Sequence, residues 1–113
     1  MDDKRELTLE IDAETDTAVV RCRGRLTLTS ADELRNTIKP LLAGRRTVTL
    51  DLTDVTLMDS VGLGNVVSLY VSGRKADCQL LVVNIRPRIR EIFSVTRVLS
   101  LFEAAGETNV RLP

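Results

Sequence analysis

The stretch Asp51-Leu-Thr-Asp-Val-Thr-Leu-Met-Asp-Ser60-Val-Gly-Leu-Gly64 gathers the residues of this chain best suited to chemistry. It reads as an apolar strand, a connection and the first turn of a helix. Loops at the C-terminal ends of parallel strands are the usual place for functional groups in α/β sheets. Ser60 stands where a helix N-cap is expected, with a hydroxyl able to accept from a free backbone N–H. Gly62 and Gly64 leave the first turn uncluttered, so a macromolecule can approach closely. Nucleophilic catalysis by Ser60 fits poorly. Met58 occupies the first glycine position of a Gly-x-Ser-x-Gly elbow, and the chain contains no histidine to act as base. Phosphate cradling fits no better, because Gly62-Leu-Gly64 is followed by neither a third glycine nor Gly-Lys-Ser/Thr. Two readings of the stretch stay open. It is either a serine cap whose small neighbours let the helix pack near the sheet, or a hydroxyl presented to a partner.

Composition narrows the field further. The chain has 113 residues, with 16 Lys+Arg, 16 Asp+Glu and no histidine. One domain spanning residues 1–113 is the expectation at this length. Such a chain buries about two thirds of its unfolded surface and needs no disulfide or metal to fold. Zero net charge argues against capture of nucleic acid or anionic membrane, which need a basic excess on one face. Without histidine no Ser–His–Asp or Cys–His triad can be built. Two cysteines are too few for an all-thiolate zinc site. Composition therefore disfavours catalysis without forbidding it, and no catalytic residue, metal or cofactor is expected.

Cys22 and Cys78 each lie in an apolar, strand-like run and read as buried, reduced thiols, with a disulfide as the lesser alternative. The N-terminus MDDKRELTLE carries no apolar signal region, and no apolar run approaches the roughly 20 residues of a membrane span. The expectation is a cytoplasmic protein. Arg86, Arg88 and Arg90 form a small basic group, either a solvated helix face or an attractive contact for an acidic patch on a partner.

Alternating hydrophobicity sets the elements that must position these groups. Leu7, Leu9 and Ile11 alternate with polar residues as in a half-buried strand. Asp12, Glu14 and Asp16 mark a turn, and Thr17–Gly24 forms a second strand, closing a hairpin. Ser30-Ala-Asp-Glu33 has the capping-box form. Leu34, Ile38, Leu41 and Leu42 follow at helical spacing, interrupted by Pro40 and stopped at Gly44. Thr47–Leu52 alternates as a strand, residues 53–59 read as a connection, and a helix runs from Ser60 to Ser72, ending at Gly73. Its apolar stripe is Leu63, Val66, Val67, Tyr70 and Val71. Gln79–Val83 is a continuous apolar run, as in a strand buried on both faces. Pro87 opens a third helix, with Ile89, Ile92 and Phe93 as its apolar face. Leu101–Ala104 reads as a weak last strand. The order β-β-α-β-α-β-α-(β) predicts an α/β fold with a mixed, mostly parallel sheet of four to five strands and helices packed against it.

Against that background, Leu50–Gly64 resembles the signature of the STAS domain, as found in bacterial anti-sigma factor antagonists. There a hydrophobic strand leads through Asp-Ser-x-Gly-Leu into a helix. Gly24-Arg-Leu-Thr27 resembles an earlier Gly-x-Leu-Asp segment of that family, and Asn84–Phe93 a later strand-to-helix segment opened by proline. The three segments lie in the family's order, and the resemblance covers roughly residues 7–103, the expected core of the domain. The resemblance implies a STAS fold and a partner-switching role, that of a binding module and kinase substrate and not an enzyme. Ser60 would be phosphorylated by an anti-sigma factor that is itself a Ser/Thr kinase, with Asp59 shaping the docking surface. The unphosphorylated form would bind the anti-sigma factor and free a sigma factor, and a serine phosphatase would reset the switch. Partner binding is expected at Thr27, Asp59, Ser60, Val61, Gly62 and Leu63, with Arg86 and Arg88 nearby. Thr27 departs from the pattern, since many relatives carry Asp there. The short C-terminus suggests an exposed edge that could favour a weak homodimer. Alternative roles are a scaffold subunit of a stressosome-like assembly, or the STAS component of a lipid or anion transporter.

Overall fold

Alternating apolar and polar residues give the first two strands one inward face, and a short acidic turn folds them together. β1 (Leu7–Ala13) and β2 (Thr17–Leu26) form an antiparallel hairpin, with Leu7 opposite Gly24 and Ala13 opposite Ala18. The Glu14 N–H donates to the Thr17 carbonyl at 2.7 Å and closes the turn. The computed structural model describes residues 6–95. The elements that follow are α1 (Ala31–Leu42), β3 (Thr47–Met58), α2 (Ser60–Lys75), β4 (Gln79–Val83) and α3 (Pro87–Val95). The expected strand at Leu101–Ala104 and the side chain of Phe93 lie outside the described residues.

The strands form one sheet in the order β1-β2-β3-β4, with β2–β3 and β3–β4 parallel. This is the expected mixed, mostly parallel arrangement, with four strands among the described residues. One face carries the core. Ala18, Val20 and Cys22 of β2, Val48, Leu50 and Leu52 of β3, and Leu80 and Val82 of β4 are buried. They meet Leu34, Ile38 and Leu42 of α1 and Leu63, Val66, Leu69 and Tyr70 of α2. The intervening residues Arg21, Arg23 and Arg25 are exposed, so β2 presents a polar opposite face. Cys22 and Cys78 are buried and free, as the apolar context predicts.

Several local expectations need correction. Residues 53–59 are not a connection, because β3 continues to Met58. Arg21 pairs with Asp51 but Arg23 with Asp54, and Gly24 pairs with Val55 but Arg25 with Leu57. Each step inserts one extra residue in β3, as a β-bulge does. The buried positions therefore run Leu50, Leu52, Val55, Met58, and the strict alternation that identifies a strand is lost. The capping box at Ser30 does not form. Its hydroxyl instead accepts from the Thr27 N–H at 2.9 Å and donates to the Arg25 carbonyl at 2.7 Å. Pro40 lies within α1 without ending it, and the chain leaves the helix through Gly44 at φ +78°.

The second helix runs two residues past its expected glycine stop. Gly73 is helical and packed, since a Cβ there would stand 2.7 Å from the Cys78 carbonyl oxygen. The reversal comes instead at Asp77, with φ +58°. Leu69, not Val71, completes the buried stripe, and Val71 is exposed. Ile11 is likewise exposed, at the far end of the edge strand β1. In β4 Leu80 and Val82 are buried on the inward face, and on the opposite face Val83 is buried, Leu81 half-buried and Gln79 exposed.

Candidate functional site

The C-terminal ends of β2 and β3 lie side by side, with Leu26 opposite Met58, so the loops leaving them emerge together. The first loop is Thr27–Ser30, which leads into α1. The second is the single residue Asp59, which leads into α2.

Asp59 joins them. It is the N-cap of α2, and its Oδ1 accepts from the Gly62 N–H at 2.8 Å. Its Oδ2 accepts from the Leu28 N–H at 3.0 Å, across 31 residues of sequence. Its own N–H donates to the Leu26 carbonyl at 3.3 Å. The Gly62 amide, with the Leu28 amide beside it, holds the Asp59 carboxyl below its ordinary value. Ser60 is therefore not the cap that its position suggested. It is the first residue of the helix, exposed, with Asp59 satisfying the backbone donor in its place. Asp-Ser at a helix start offers two acceptable caps, and the end of β3 at Met58 decides between them.

Gly62 permits this packing. A Cβ there would lie 2.2 Å from the Leu26 carbonyl oxygen, so α2 begins against the backbone of β2. Leu63 is buried beneath the site, while Val61 is 41% exposed. Leu28 is 69% exposed and Leu57 46%. Among the described residues five large hydrophobics are exposed, and these three lie within two residues or one hydrogen bond of Asp59. Apolar surface concentrated beside a polar centre is the composition of a docking site.

Thr27 does more than follow a strand. Its hydroxyl donates to Glu6 Oε2, and the Thr29 hydroxyl contacts both Glu6 oxygens at 2.6 and 2.7 Å. The two hydroxyls hold the Glu6 carboxyl below its ordinary value. Neither Glu6 nor Leu28 was expected from the sequence. A leucine exposed between threonines in a short loop was a usable signal for Leu28. Nothing local marks Glu6, whose partners lie 21 and 23 residues away.

Arg86 turns to β3. Its Nε donates to the Thr53 carbonyl at 2.6 Å, and its guanidinium lies 3.9 Å from Asp54. β4 pairs with β3 only as far as Asp51, so Arg86 satisfies a carbonyl beyond the last ladder partner. Asp51 fastens the same corner, accepting from the Thr53 N–H at 2.9 Å and from Asn84 Nδ2 at 3.1 Å. Burial pushes the Asp51 carboxyl up, but these donors and the Thr53 hydroxyl outweigh it and leave the group below its ordinary value. Arg88 and Arg90 are exposed on α3.

Comparison with known proteins follows this geometry closely. Residues 8–111 match the STAS domain family. An anti-sigma-B factor antagonist of Staphylococcus aureus is 28% identical over 92 residues, covering 80% of this chain and 85% of that protein. The anti-sigma factor antagonist SpoIIAA, solved in its unphosphorylated form, superposes with a TM-score of 0.71 at 17% identity, covering 90% of this chain and all of that one. The same fold recurs within the murine anion transporter Slc26a9, with a TM-score of 0.71 at 20% identity, over 88% of this chain but 16% of the transporter.

Proposed function

Since the chain belongs to the STAS domain family, we propose that it is an anti-sigma factor antagonist switched by phosphorylation of Ser60. Its partner would be an anti-sigma factor with Ser/Thr kinase activity, and its place of action the cytoplasm. The observation that carries this reading is an exposed serine hydroxyl at the first position of α2, beside the exposed Leu28, Leu57 and Val61. The likeness to the staphylococcal antagonist supports it, whereas the fold alone would serve a transporter equally well.

The physical chemistry is suited to a switch. A phosphate brings about −1.5 to −2 charges and three acceptor oxygens. A helix N-terminus tolerates an anion, so the domain itself can remain folded. Asp59 already occupies the Gly62 amide, so the phosphate must point its charge outward into the docking surface. There the added charge has to be desolvated or matched. A loss of about 3 kcal/mol weakens a complex more than a hundredfold, at about 1.4 kcal/mol per decade.

The test is incubation with ATP and the anti-sigma kinase encoded nearest to its gene, followed by mass spectrometry and binding measurements. Phosphate is expected on Ser60 alone. Ser60→Ala should bind like the unmodified chain, and Ser60→Asp at least about tenfold more weakly. Phosphate elsewhere or nowhere, or equal affinity of the two variants, would overturn the reading. Large particles on size exclusion would point instead to a scaffold, and co-purification with membrane transport subunits to a transporter component.

A further inference from the structure

The loop Thr27–Ser30 contains no ionisable residue, yet it carries a charge. That charge comes from Glu6, which precedes β1 and belongs to none of the motifs around Ser60. The Thr27 and Thr29 hydroxyls both donate to the Glu6 carboxylate, and the Arg25 guanidinium stands 3.8 Å away. The backbone fixes the approach as well. The Arg25 N–H donates to the Glu6 carbonyl at 2.9 Å, and a Cβ on Gly24 would stand 2.3 Å from that same oxygen. Gly24, at φ +112°, is the residue type this contact requires.

We infer that Glu6 is a specificity-determining residue of the docking surface, a fixed anionic contact selecting a partner that places an arginine or lysine opposite the Thr27–Ser30 loop. The inference rests on the docking role proposed for the Ser60 surface.

Three features favour a recognition role over a purely structural one. The carboxylate is oriented by two donors, yet two oxygens offer about four acceptor sites, so capacity remains for a further cation. Its side chain keeps 25% of its surface exposed. The Arg25 guanidinium, half-exposed at 3.8 Å, makes a weak pair with it that a closer guanidinium can outcompete. Position completes the case. Leu28, between the two threonines, is the most exposed large hydrophobic among the described residues, and its N–H is held by Asp59. An apolar anchor flanked by the carboxylates Glu6 and Asp59 complements a partner patch in which a cation borders an apolar pocket.

The experiment measures association with the anti-sigma kinase encoded nearest to the gene, with phosphorylation of Ser60 followed in parallel. Glu6→Gln keeps an acceptor for the threonines and removes the charge. It should weaken binding about tenfold, chiefly through a slower association rate with a shallower salt dependence. Glu6→Lys should weaken it further, and a Lys or Arg to Glu exchange on the kinase should restore binding to Glu6→Lys. Thr29→Val, which leaves the charge but loosens its orientation, should fall between Glu6→Gln and the unmodified chain. If Glu6→Gln binds within twofold, with unchanged salt dependence, the inference is wrong while the role of Ser60 stands. Should affinity drop only in parallel with thermal stability across the three variants, Glu6 is a structural latch and the inference is equally wrong. If the unmodified chain neither binds nor is phosphorylated, both readings fall.

Discussion

One carboxylate, Asp59, closes the N-terminus of α2 and pins the preceding loop through the Leu28 amide. Asp59→Ala removes both acceptors and should lower stability by about 1 kcal/mol, as for other helix caps. Thermal melting should register this as a drop of roughly 5 °C. Asp59→Asn keeps a side-chain oxygen and should lose less. The two variants also test the acid limb of stability. Glu6 and Asp59 both titrate below their ordinary values of 4.5 and 3.8 in the folded chain. A carboxylate with a depressed folded value stabilises fully above its unfolded value and loses that contribution as pH falls through the folded one. Melting temperature should therefore decline as pH is lowered below about 4.5, and Asp59→Asn should make the decline shallower. An identical acid slope in that variant would mean that Asp59 contributes nothing to it.

Elements meet here through glycine where backbones touch. The start of α2 lies on the end of β2 because Gly62 has no Cβ to strike the Leu26 carbonyl 2.2 Å away. Gly62→Ala must move the helix or the strand and should destabilise by roughly 1–3 kcal/mol, as overpacking does. Two residues on, a Cβ at Gly64 would meet nothing within 4 Å. Gly64→Ala should therefore be neutral or stabilising by up to about 1 kcal/mol, since alanine is the better helix former. Melting curves of the two variants check the contrast, and equal losses would contradict the packing described. Element types were legible because their signals are local: period two in β1 and β2, helical spacing in α1 and α2, proline at the start of α3. The second half of β3 was not legible. Its bulges move the inward positions from a spacing of two to three, and no local pattern distinguishes that from a loop.

For the molecule as a whole, the sheet buries one face under the helices and exposes the arginines of β2 on the other. Both thiols lie within that buried layer. Burial, with Asp51 nearby, pushes the Cys22 thiol up to about 12, and burial raises Cys78 as well. A thiol that stays protonated is a poor nucleophile. Neither cysteine should react with a disulfide reagent at pH 8 in the native protein, and both should react at once in denaturant. Fast labelling of Cys22 under native conditions would show that the sheet opens locally.

The sequence by itself determined the order of strands and helices, the family and the position of Ser60 at a helix start. The elements and the helix start depend on residues within one turn or one strand of each other, and the family on three short segments read in order along the chain. Tertiary structure alone decided which of Asp59 and Ser60 caps the helix, because that depends on where the bulged β3 ends beside β2. It also decided that the uncharged Thr27 loop is met by the carboxylate of Glu6, delivered by the β1–β2 hairpin. Contacts across 21 and 31 residues leave no trace in local spacing, since chain folding and not neighbour identity brings the groups together.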